Sequence, residues 1–145
     1  MRYLIVAVLI LCCSFAQADE LQDAHDQYEA LHEQGKYQEA LPFAQKAVRL
    51  AETKFGKESG DTSVYLSNLG SLYATLGDYD KAEPLYERAL EIIEKALGPD
   101  HPSVATSVGN LGTLYINLGD YDKQSRCLSV RWRLMKRRWG QIIQA

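Results

Sequence analysis

A set of residues recurs in this chain every 42 positions, and that interval limits the fold more than any other feature of the sequence. Gly35-Lys36-Tyr37, Gly77-Asp78-Tyr79 and Gly119-Asp120-Tyr121 keep it, as do Ala40 with Ala82, Ala47 with Ala89 and Gly56 with Gly98. Self-similarity at a period of roughly 20–50 residues marks units that cannot bury their apolar faces alone and must stack on one another. Stacks of this kind are solenoids, and their extended surface serves binding.

Inside each interval the apolar residues recur at spacings of three and four, the period of an amphipathic helix. The spacing predicts helices over Asp19–Gln34 (Leu21, Ala24, Tyr28, Leu31), Tyr37–Phe55 (Ala40, Phe43, Ala44, Ala47, Val48, Ala51) and Ser63–Leu76 (Leu66, Leu69, Tyr73, Leu76). Further helices are predicted over Asp80–Leu97, with Ala82, Leu85, Tyr86, Ala89, Leu90, Ile93 and Leu97, and over Ser103–Leu118, with Val104, Val108, Leu111, Leu114, Tyr115 and Leu118. Gly56 and Gly98 act as helix stops, Lys57–Thr62 reads as a linker, and Gly98-Pro99-Asp100-His101-Pro102 combines a helix stop, a residue able to cap and a proline suited to a helix's first position. Pro42 and Pro84 hold equivalent places early in their helices, where a missing N–H is expected to cost little. Gly70 and Gly112 lie inside helices at about 1 kcal/mol each against alanine, which implies a close helix approach, with Ala82 and Ala89 as the expected partners.

These residues resemble the tetratricopeptide repeat in its 42-residue, kinesin-light-chain-like form. The middle unit carries the pattern through Leu66, Leu69, Gly70, Tyr73, Gly77, Tyr79, Ala82, Tyr86 and Ala89. The third carries it through Val108, Leu111, Gly112, Tyr115, Gly119 and Tyr121, and departs from it at Gln124. The first keeps only Gly35, Tyr37, Ala40 and Ala47. The resemblance implies an all-α fold, a right-handed superhelical solenoid of antiparallel helix pairs. It divides the chain into a degenerate first repeat (19–62), a well-formed repeat (63–102) and the first helix of a third (103–123).

Residues 1–18 and 124–145 stand apart. Arg2, the apolar run Leu4–Cys13 and Ala16-Gln17-Ala18 have the form of a secretory signal cleaved after Ala18, since ten apolar residues are about half of the ~20 that span a bilayer. Export to a periplasmic or extracellular compartment follows as an expectation. Cleavage would leave Cys127 as the sole cysteine, so no internal disulfide is expected. At the other end, six of the sixteen Lys and Arg residues and none of the nineteen acids fall in the last 22 residues, which leaves −9 on residues 1–123. That break suggests the third repeat's second helix read out of frame. With the frame set back one nucleotide, Met135-Lys136 spells the glutamate of Glu94's slot and Gly140 the glycine of Gly98's, while the remaining positions permit the rest of the repeat. Codons at the locus that cannot spell it would reject this reading. Gln124 and Arg131 replace Ala82 and Ala89, so the tail is expected not to dock, leaving an uncapped end open to self-association.

No metal-ligand spacing, phosphate loop or nucleophile motif stands out. His25, His32 and His101 are expected to be solvated, and no cofactor, metal or catalytic residue is assigned. Binding is expected on the concave face, where Asn68, Ser71 and Thr75 are repeated by Asn110, Thr113 and Asn117 on the polar side of each first helix. The resemblance implies that Asn68 and Asn110 hydrogen-bond the backbone of an extended peptide. Asp26 and Glu29, with Gln22 and Glu33, continue the stripe in acidic form, which favours a basic peptide and disfavours a ligand held by its C-terminal carboxylate. The chain therefore reads as a non-catalytic peptide- or protein-binding module that takes no nucleic acid and meets the membrane only through its signal. Two other readings stand beside it: a basic tail that binds membranes or nucleic acid, and the N-terminal part of a longer repeat protein with a catalytic domain downstream.

Overall fold

The computed structural model describes residues 20–143, with side chains up to residue 136 except at residue 133. The predicted signal sequence and its cleavage site lie outside the described residues. Among the described residues six helices follow one another: α1 (20–33), α2 (Tyr37–Phe55), α3 (Gly60–Thr75), α4 (Tyr79–Leu97), α5 (Pro102–Leu118) and α6 (Tyr121–Ile143). They pair as α1/α2, α3/α4 and α5/α6, and the pairs stack into a right-handed superhelix in which α3 also touches α5.

Each joint has a local cause. Gly56 and Gly98 end α2 and α4 at φ 93° and 84°, a region costly for residues with a Cβ, and donate their N–H groups to the carbonyls of Glu52 and Glu94. Helix α3 begins inside the predicted linker because Ser59 Oγ accepts the N–H of Asp61 at 3.2 Å. The buried Thr62 hydroxyl then ties α3 to the end of α2, 2.7 Å from the Gly56 carbonyl oxygen. His101 caps α5: its Nδ1 accepts the Ser103 N–H at 3.2 Å, with Pro102 opening the helix. Pro42 and Pro84 stand in the second turn of α2 and α4, where their missing N–H groups remove the usual i→i−4 bond to the carbonyls of Gln38 and Asp80. Both residues are exposed, so water can serve those carbonyls.

The core runs continuously through the pairs, with Ala40, Leu66, Leu72, Ala82, Ile92 and Leu114 almost fully enclosed. A Cβ on Gly70 would lie 3.0 Å from the Tyr86 ring, so α3 and α4 do meet closely there, and the nearest atoms belong to Tyr86. At Gly112 a Cβ would meet only Cys127 at 3.6 Å, an ordinary contact. Leu128, 42 positions after Tyr86, is half-exposed and does not come within 4 Å of that Cβ.

Docking of the tail departs from the sequence expectation. Cys127, Val130 and Leu134 of α6 pack against the cluster of Ile93, Val104 and Val108, and Lys123 Nζ reaches Glu83 at 2.7 Å. The expected penalty required Arg131 to be enclosed. Among the described residues no helix covers the far side of α6, and Arg131 is exposed beside Gly109. The histidines depart too. His25 lies between Tyr28 and Tyr65 (ring centroids 6.1 and 5.5 Å) and His32 between Tyr28 and Tyr37 (5.5 and 5.3 Å), where they brace the first repeat.

Candidate functional site

The first helices α3 and α5 lie side by side, and their polar faces form one wall each of a cleft of about 260 Å³. Ser71 and Thr75 come from α3, and Asn110, Thr113 and Asn117 from α5. The 42-residue interval produces this alignment, because equivalent positions of successive repeats project from the stack in the same direction. Asn68 is half-buried one turn before Ser71 and outside the cleft lining. Asp26 and Glu29 are exposed on α1, also outside it, and both have internal partners: Gln22 Nε2 donates to Asp26 at 2.7 Å, and Glu29 lies 3.3 Å from His25 Nε2.

Three lining residues escaped the sequence reading. Ala74 and Leu114 line the cleft beside the polar residues, and Tyr86 reaches it from α4 by crossing over Gly70. Tyr86 reads as core from its spacing and is indeed buried, yet it also serves the cleft. The glycine sixteen residues earlier is the signal that a ring passes there. Burial pushes the Tyr86 phenol up, opposed by its hydrogen bond with Ser71.

The chemistry offered is neutral. Thr75 and Thr113 donate their hydroxyls to the carbonyls of Ser71 and Gly109 at 2.9 and 3.1 Å, so towards a ligand they serve as acceptors. The amides of Asn110 and Asn117 both donate and accept. No lining residue is charged. Such a surface suits peptide groups along an extended chain, with small apolar side chains against Ala74 and Leu114. Among the described residues no group of three or more His, Cys, Asp or Glu could hold a metal ion, and no helix is long and apolar enough to cross a membrane.

Helix pairs stacked at a constant interval, with a concave polar cleft between first helices, define a repeat scaffold of the protein-interaction class. The tetratricopeptide repeat profile matches residues 29–92 and, overlapping them, 61–123, and the chain belongs to that family. It is similar to BtubC (BKLC) from P. vanneervenii, whose crystal structure aligns at 25% identity and a TM-score of 0.74, over 91% of this chain and 55% of that one. The chain thus spans about half the length of that protein. No curated protein matches it. Its repeats make it a module for interaction with other proteins or peptides.

Proposed function

We propose that the module is non-catalytic and exported, and that it binds an extended peptide in the cleft between α3 and α5. The observation that carries the binding site is the cleft itself: five neutral polar side chains from two successive repeats line it beside Ala74, Tyr86 and Leu114. Asn68 and Asn110 hold the peptide backbone, largely without regard to its sequence. Asp26, Glu29 and Glu33 on α1 add a preference for lysine or arginine at the end of the ligand that lies over the first repeat.

An affinity series tests this with an extended lysine-bearing peptide and its neutral counterpart. Asn68→Ala with Asn110→Ala weakens both peptides at every salt concentration. Asp26→Lys with Glu29→Lys removes mainly the preference for the basic one, each exposed pair being worth about 0.2–1 kcal/mol and weakening with salt. Binding untouched by the asparagine pair would move the site away from the concave face. Export is checked separately: secreted material should begin at Asp19, and an intact mass that retains Met1–Ala18 would refute cleavage.

A further inference from the structure

The outer face of α6 carries a row of large apolar side chains that the fold leaves bare: Tyr121, Leu128, Trp132 and Met135 are 68, 51, 54 and 46% exposed. The row follows the repeat. Each of the four stands 42 positions after a residue of α4, namely Tyr79, Tyr86, Leu90 and Ile93. In α4 those residues are buried or half-buried, and Leu90 and Ile93 pack on Val104 and Val108 at the start of α5. The bare row therefore stands where the preceding repeat seats a helix. Leu128, Arg131, Trp132 and Met135 bound a cleft of about 250 Å³ there.

Charge narrows the occupant. Helix α6 carries seven Lys and Arg residues and one acid. Arg131 edges the cleft, and Lys136 Nζ lies 5.3 Å from the Trp132 ring centroid. We propose that this face docks an amphipathic helix of another polypeptide, apolar at the four-three-four spacing of Val104, Val108, Leu111 and Tyr115 and acidic along its flanks. A second copy fits less well. Among the described residues the most acidic helix is α1, and at the positions matching those four it offers Glu20, Ala24, Gln27 and Leu31. Of these the apolar pair is already turned inward, Ala24 buried and Leu31 half-buried.

The probe is a fluorescein-labelled synthetic helix that keeps the valine, valine, leucine and tyrosine of α5 at their spacing and bears glutamate at the outer positions. Its control has the same composition with the apolar spacing scrambled. Fluorescence anisotropy with the full chain should show saturable binding of the probe, at least about tenfold weaker binding of the control, and a loss of about tenfold or more in Leu128→Asp and Trp132→Asp. Both side chains are half-exposed, so the variants should keep the wild-type circular dichroism; Arg131→Glu, which reverses a charge and leaves the apolar row intact, should weaken the probe and flatten its salt dependence. Equal binding of probe and control would overturn the proposal, as would binding indifferent to both aspartate variants or no binding at all. Self-association through Trp132 that the probe cannot displace would assign the face to a second copy. Trp132-dependent uptake by phosphatidylglycerol vesicles without probe binding would assign it to a membrane.

Discussion

Gly70 and Gly112 occupy the same place in successive repeats, yet their substitutions should have opposite effects. At Gly112 a methyl group meets ordinary contact with Cys127, so Gly112→Ala should stabilise by up to about 1 kcal/mol through helix propensity. At Gly70 it would stand 3.0 Å from the ring of Tyr86, which is 5% exposed and walled in by the core. Overpacking of that kind costs about 1–3 kcal/mol, which outweighs the same propensity gain. Thermal melts of the two variants should move in opposite directions, and parallel shifts would contradict the packing described. Glu83 provides a second test. Its hydrogen bond with Lys123, helped by that from the Tyr115 hydroxyl at 3.0 Å, holds the carboxyl below its ordinary value of 4.5. A depressed folded pKa contributes stability that is present above the unfolded value and is lost as pH falls through the folded one. Glu83→Gln should therefore destabilise at pH 7 and lose that effect in acid below the lowered pKa. A constant difference across that range would show that the ion pair contributes nothing.

At the scale of the helices, α6 is the element whose placement is most open to test. Its attachment rests on Val130 and Leu134 over Val104, Val108 and Ile93. Because Val130 and Leu134 are only partly buried, Leu134→Ala should cost less than a full core truncation, about 1–2 kcal/mol. Limited proteolysis should spare residues 121–134 in the wild type and cut there first in that variant; immediate cleavage of the wild type would show that the helix is undocked. The bounds of α2 were legible because Gly35 and Gly56 bracket an uninterrupted apolar stripe. The starts of α3 and α5 were less so, since Ser59 and His101 act through side-chain acceptors that composition does not reveal. Docking of α6 was misjudged for a geometric reason: a buried slot was inferred at Arg131 from Ala89, but a slot is buried only when the next helix covers it. Tyr86 was missed in the cleft because one side chain serves both core and surface there, whereas a spacing pattern assigns each position to one face.

The whole molecule presents surfaces of different character to different partners. The concave cleft is neutral, α1 beside it carries five acids and no Lys or Arg, and α6 at the far end is basic with a bare apolar row. Peptide binding in the cleft should depend weakly on salt in its backbone component and more strongly in its preference for basic ligands. The most direct test is a backbone-amide NMR titration of the full chain with an extended lysine-bearing peptide. A peptide in the cleft should perturb Ser71, Thr75, Asn110, Thr113 and Asn117 first, and Asp26 and Glu29 with them when the ligand is basic. Saturable perturbations confined to α6 or to the convex side of α2 and α4, with those five amides unmoved, would contradict the assignment of the cleft as the binding site.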